Sequence, residues 1–228
     1  MRGRTALSLA ALAAVILVTA CDVTPAAAAR RGPAGRYRRA DASPRASLIL
    51  EGGLAQPLGD LGDNYLGTAK GFGAETGYDL GVRLRAVWPS GWALCPSFHY
   101  QDFGDFNDID NAGDPYTVAT SLTSYGLDLQ HFWETPGSTL QPFVSAGLAL
   151  HHNRYRDETH GNDPSFYETA ANALAVVLGA GLKVDVFEIS ASYAVDRFET
   201  ARLSTSGRRA SYDWDTLSLR VGIELPVN

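Results

Sequence analysis

Glu75-Thr-Gly-Tyr-Asp-Leu-Gly-Val-Arg-Leu-Arg-Ala-Val-Trp88 decides the fold. In an extended chain Thr76, Tyr78, Leu80, Val82, Leu84, Ala86 and Trp88 share one side, and Glu75, Gly77, Asp79, Gly81, Arg83 and Arg85 share the other. A period of two held for this long marks a strand with one apolar and one polar face.

The same alternation recurs in seven further segments, at 47–55, 92–101, 124–133, 144–151, 174–183, 187–196 and 216–225. The third contains Pro96, which donates no ladder hydrogen bond, and the sixth, taken alone, passes for a helix. The connections alternate in length. Those at 89–91, 135–138 and 184–186 are short, whereas those near 57–71, 103–117, 154–170 and 198–212 are long. Eight segments joined in this way predict an all-β fold. It is an eight-stranded antiparallel up-and-down transmembrane β-barrel, with short periplasmic turns and long extracellular loops.

Alternation is also the mark of a soluble barrel, whose apolar face points inward. Here the polar face is made of Gly, Ser and Ala with scattered charges, and Lys70 and Lys183 are the only lysines. Small residues suit a narrow lumen in which charges must pair, because an isolated buried charge is costly. The expected lumen network draws Arg83, Arg85, Lys183 and Arg220 against Glu51, Glu75, Asp79, Asp128, Glu188, Asp196 and Glu224. Trp88, Trp92, Trp133 and Phe187 flank the short turns, and Tyr100, Tyr125 and Tyr193 lie nearer the long connections. Two such levels are expected of interfacial aromatic belts.

Residues 1–29 have the plan of a secretory signal, with Arg2 and Arg4, an apolar run from Ala6 to Ala20, and small residues through Ala29. Two processing sites compete, Val18-Thr19-Ala20-Cys21, which makes Cys21 a candidate for lipidation, and Pro25 followed by four alanines. Residues 30–46 read as a basic flexible linker, and 47–228 as the barrel domain. Elsewhere no run of 18 apolar residues offers a spanning helix. Without the signal Cys95 is the lone cysteine, so no internal disulfide is available. The whole chain carries a net charge of −6, which argues against nucleic acid as a partner.

Leu50-Glu-Gly-Gly-Leu54 and Pro57-Leu-Gly-Asp-Leu-Gly-Asp63 resemble the first strand and loop of small outer-membrane β-barrel proteins of OmpA/OmpX-like plan. The resemblance covers residues 47–225 by strand pattern. It implies an outer-membrane location in a Gram-negative-type bacterium, contact with membrane lipids and lipopolysaccharide, and insertion by the outer-membrane assembly machinery.

His151, His152 and His160 are candidate bases of the kind a lipid A-modifying barrel would need, but no serine nucleophile follows them, and they read as rim polarity. His131 adjoins Phe132 and Trp133 and reads as a headgroup-level anchor. The aspartates from Asp102 to Asp114 suggest calcium, but Ala112 and Ala119 stand where oxygen ligands belong. No catalytic residue, metal or cofactor is expected. The function expected is that of a monomeric, non-enzymatic envelope protein serving membrane integrity or loop-mediated binding and adhesion. The alternatives are a narrow, porin-like channel or carrier for small or apolar solutes, a soluble or lipid-anchored periplasmic ligand-binding barrel, and a lipid A-modifying enzyme.

Overall fold

The computed structural model describes residues 44–62, 73–109, 115–133, 139–159, 166–200 and 210–227. The expected signal segment, Cys21, His160 and the linker as far as residue 43 lie outside the described residues. The strands are β1 Arg45–Pro57, β2 Gly77–Val87, β3 Trp92–Ile109, β4 Pro115–Phe132, β5 Leu140–Thr159, β6 Phe166–Val184, β7 Phe187–Thr200, β8 Ala210–Asp213 and β9 Thr216–Val227. All pairings are antiparallel. β1 bonds both β2 and β9, and β7 bonds β6 on one side and β8 and β9 on the other, so the sheet closes on itself. β8 and β9 together form a single stave, parted at Trp214 and Asp215, which makes a closed barrel of eight staves. No helix occurs among the described residues.

Local chemistry sets the reversals. Gly91 takes a φ of 83° in the β2–β3 turn and donates to the Trp88 carbonyl at 3.0 Å. Asp185, in the tight β6–β7 turn, has a φ of 56°, in a region that Asp tolerates better than most residues. Pro96 remains inside β3, and its cost is local. The β2–β3 ladder skips from Arg83–Ser97 to Ala86–Leu94, and the gap lies beside the proline that has no N–H to give. The helix-like sixth segment is fully laddered to both neighbours, because an all-small-and-apolar run fits a barrel wall once two strands flank it.

The strands run further than the alternation predicts. Residues 103–109, 115–117, 154–159, 166–170 and 198–200, expected in long connections, are strand. The alternation is hard to see there because its sense reverses. Outward positions on β5 read Pro142, Val144, Ala146, Leu148 and Leu150, then His152, Arg154 and Arg156. On β4 they read Leu129, Leu127 and Tyr125, then Thr123 and Ser121, and on β6 they read Leu182 through Leu174, then Asn172. The register places Tyr125, Leu150 and Leu174 in one row and Thr123, His152 and Asn172 in the next, so the change comes at one height. Below it the outer wall is apolar, with Leu127 51% and Leu174 65% exposed. The apolar stretch on β6 amounts to about 23 Å of height for strands tilted by about 40°.

Inward positions change in the opposite sense. Below that row the interior is mainly polar, with a small apolar cluster at the short-turn end. At and above it lies an apolar core of Phe103, Val118, Leu122, Tyr155, Phe198, Tyr212 and Trp214, with Ala55, Leu61, Ala74 and Ala173. The barrel thus has two storeys, one apolar outside and mainly polar inside, the other polar outside with an apolar core inside that keeps a few buried polar side chains such as Thr120 and Asn153.

Candidate functional site in the barrel interior

The lower interior is filled by ion pairs. Arg83 Nη2 donates to Glu51 Oε2 and Glu188 Oε1, each at 2.7 Å. Arg85 donates through Nη2 to Glu188 Oε2, through Nη1 to Glu224 Oε2 at 3.0 Å, and through Nε to Gln130 Oε1 at 3.1 Å. Lys183 Nζ lies 2.7 Å from the same Glu224 oxygen. All these side chains occupy inward positions of β1, β2, β4, β6, β7 and β9, which face one another across the lumen. The Arg85 guanidinium also lies 4.9 Å from the centre of the Phe132 ring and 5.8 Å from that of Phe143. Phe132, Phe143, Ala93 and Cys95 form a small buried cluster that closes the short-turn end. Phe143 fits because it lies over Gly181, where an added Cβ would come within 2.5 Å of its ring.

Higher up, His99 bridges two carboxylates. Its Nδ1 lies 3.1 Å from Asp79 Oδ1, and its Nε2 lies 3.2 Å from Glu51 Oε1. Gly81 supplies the space, since a Cβ there would be 2.4 Å from the His99 ring. Gln101 Nε2 donates to Asp79 Oδ2 at 2.8 Å and to Ser218 Oγ at 3.0 Å. Arg220 completes this cluster, donating to Asp79 Oδ2 through Nε and to Ser192 Oγ through Nη1, each at 2.8 Å. A second cluster lies under the apolar core. His151 Nδ1 is 2.9 Å from Asp196 Oδ2, to which Asn153 Nδ2 donates at 2.7 Å. The Trp214 backbone N–H donates to the Asp196 carbonyl at 2.9 Å, which ties this cluster to the core above it.

Between the two lies a cavity of about 50 Å³, lined by Glu51, Arg83, His99, Gln101, Asp128 and His151 and by small side chains such as Ser97, Ser124 and Ala149. Its walls are small because the inward face is built of Gly, Ser and Ala. A solute larger than a few atoms has no room.

Of the residues expected in the lumen network, Glu51, Asp79, Arg83, Arg85, Lys183, Glu188, Arg220 and Glu224 are joined by the bonds above, and Asp196 belongs to the upper cluster. Asp128 lines the cavity. Glu75 lies exposed, ahead of the first residue of β2, and takes no place in the interior. His151, read as rim polarity, is instead buried inside on Asp196, because the inward phase of β5 continues past Ala149. His152, the next residue, points outward and bonds Asn172. The neutral partners Gln101, Gln130 and Asn153 and the bridging His99 lie outside the expected network of charged residues. His99 and Gln101 stand on the polar phase of the third segment, which is the signal that finds them.

Trp88, Trp92 and Phe187 are exposed at the short-turn end, where His131 lies between Trp92 and Trp133 with ring centres 4.6 and 5.0 Å away. Tyr125 is 56% exposed in the last apolar row. Tyr100 and Tyr193 are half-buried, and the Tyr193 hydroxyl donates to Asp215 at 2.7 Å. Among the described residues no group of three or more His, Cys, Asp or Glu is arranged to hold a metal ion.

No family model matches the chain, and no curated protein matches it. Among solved structures it is similar to small outer-membrane β-barrels. A major outer membrane protein from Thermus thermophilus is 12% identical, with 79% of this chain and 99% of that chain covered and a TM-score of 0.49. Neisserial surface protein A is 13% identical, covering 80% and 97%, with a TM-score of 0.47. Ail, the attachment invasion locus protein of Yersinia pestis, is 13% identical, covering 80% and 99%, with a TM-score of 0.45.

Proposed function

We propose that the protein is an integral outer-membrane barrel that conducts no solute and acts through the surface it carries beyond the membrane, in envelope integrity or in binding an external partner. One observation carries the reading, the change of the outer wall from apolar to polar at a single height across β4, β5 and β6. An apolar outer wall about 23 Å tall has the height of a bilayer's hydrocarbon core as outer-membrane barrels span it, and in water it would be a large aggregation-prone surface. Above it the polar outer wall and the apolar interior suit water. The interior supports the non-conducting part of the reading. Ion pairs and Phe132 and Phe143 fill the lower lumen, and the apolar core fills the upper barrel.

Two measurements test it. Membrane fractions run on a detergent gel with and without boiling are expected to show a heat-dependent shift, with the protein retained after carbonate washing. Extraction by carbonate with no shift would remove the membrane reading. In planar bilayers the purified protein is expected to add no conductance above a protein-free control. Steady, protein-dependent conductance would favour the channel alternative instead.

A further inference from the structure

Asp196 stands at a joint in the upper wall. The β6–β7 ladder reaches up to Ala175–Asp196, whereas β6 stays laddered to β5 as far as Phe166. On the other side of β7 the β8–β9 stave is parted at the same level, with β9 paired up to Ala194 and β8 paired from Arg197. The backbone of Asp196 bridges that break. Its carbonyl accepts from the Trp214 N–H at 2.9 Å, and its N–H donates to Asp215 Oδ1 at 3.1 Å. The Asp215 carbonyl accepts from the Leu58 N–H at 2.8 Å, so the chain leaving β1 is tied to the same point.

The carboxylate at this joint has no permanent cation among the described residues. Lower in the lumen Glu51 has Arg83, Glu188 has Arg83 and Arg85, Glu224 has Arg85 and Lys183, and Asp79 has Arg220. Asp196 is 0% exposed, and its side chain bonds Asn153 and His151. Asn153 is neutral, so the imidazole is the one bonded group able to bring a positive charge, and its Nδ1 lies 2.9 Å away. The register neighbours of His151, Ser124 on β4 and Ala173 on β6, are uncharged. Glu51, Arg83, His99, Asp128 and Arg220 line the same cavity as His151, but among the described residues its ion-pair partner is Asp196. A carboxylate buried without a counter-charge is costly, and a proton on His151 removes that cost.

We propose that His151 and Asp196 form a proton-operated latch on the upper barrel. With its imidazolium in place the pair holds Asp196, and through the Asp196 backbone the seat of Trp214 and the top of the β6–β7 seam. Loss of the proton removes the counter-charge of a buried carboxylate and loosens that joint. The sign follows from the charge: the latch is closed at acid pH and released as the pH rises. The inference goes beyond the envelope reading, since it concerns how the interior responds to protons and not what the outer rim binds.

The test follows the histidine ring nitrogens and the tryptophan indole N–H groups of the full chain in lipid nanodiscs by nuclear magnetic resonance, from about pH 5 to about pH 8. His151 is expected to carry a proton on both ring nitrogens at the acid end, and the Trp214 indole, assigned with Trp214→Phe, is expected to shift with the same midpoint as His151. His151→Gln keeps a donor for Asp196 but not the charge, and should hold the Trp214 signal at its alkaline position throughout. A His151 ring with a single proton at every pH would overturn the proposal, as would a Trp214 transition that follows His99 or persists in His151→Gln. Should His151→Gln fail to insert, Asp196→Asn gives the independent answer. Without the carboxylate His151 is expected to bind its proton at least about tenfold more weakly. An unchanged His151 titration in that variant refutes the latch.

Discussion

Replacing Glu188 with alanine should be among the most damaging single changes in this barrel. Glu188 is 1% exposed and gives one carboxylate oxygen to Arg83 and the other to Arg85. Each buried, charge-assisted bond contributes about 1.5–3 kcal/mol, so the two together suggest about 3–6 kcal/mol. The cost of removing one partner of a buried ion pair gives a similar figure, about 3–5 kcal/mol. Both arginines keep a second carboxylate, Glu51 for Arg83 and Glu224 for Arg85, which argues for the lower part of the range, about 3–4 kcal/mol. Glu188→Gln keeps the shape and one accepting oxygen but loses the charge, and should fall between the wild type and Glu188→Ala. The assay is equilibrium unfolding by urea from lipid vesicles, read both by tryptophan fluorescence and by the gel mobility of the unboiled protein. A Glu188→Ala midpoint within about 1 kcal/mol of the wild type would mean that water reaches both guanidiniums freely, and the sealed lumen would have to be abandoned.

The height of the proposed membrane boundary can be probed by a pair of substitutions. Leu127→Arg, in the middle of the apolar wall, is expected to destabilise the barrel by about 2–4 kcal/mol, whereas Thr123→Arg, two rows higher, should cost about 0–1 kcal/mol; equal costs would contradict the boundary. Trp214→Ala empties the centre of the upper core, where the side chain is 0% exposed, and should cost about 3–5 kcal/mol in the same unfolding assay. A near-neutral result would show that the upper storey has no packed core. Gly81→Ala places a methyl group against the ring of His99 and should shift the imidazole off Asp79, seen as altered His99 nitrogen chemical shifts in nitrogen-15 spectra. Unchanged shifts would rule out the close fit.

Much of the lower barrel is legible from the residues alone. Apolar and polar side chains alternate from Tyr78 to Trp88 because a strand turns successive side chains to opposite faces, and a wall with an apolar outside around a narrow polar lumen needs both faces. The polar phase also marks most of the charges that meet inside. Composition, with Gly, Ser and Ala on that phase and few lysines, is enough to point the apolar face outward.

Tertiary structure alone decides the upper barrel. Leu122, Tyr155 and Phe198 stand on the inward phase of their strands, but sequence cannot show that the apolar face has changed sides, because period two looks the same in either sense. Partner choice is likewise a matter of closure. Glu188 meets Arg83 and Arg85 across more than a hundred positions of sequence, and only the register of eight staves brings them into reach. The phase of segment 144–151 turns His151 inward but does not show Asp196 as its partner, and Glu75 could not be placed outside until the start of β2 was known. Strand pattern thus follows from local geometry and from the solvent each face meets. The height at which those solvents exchange, and the pairing of charges across the lumen, exist only once the barrel has closed.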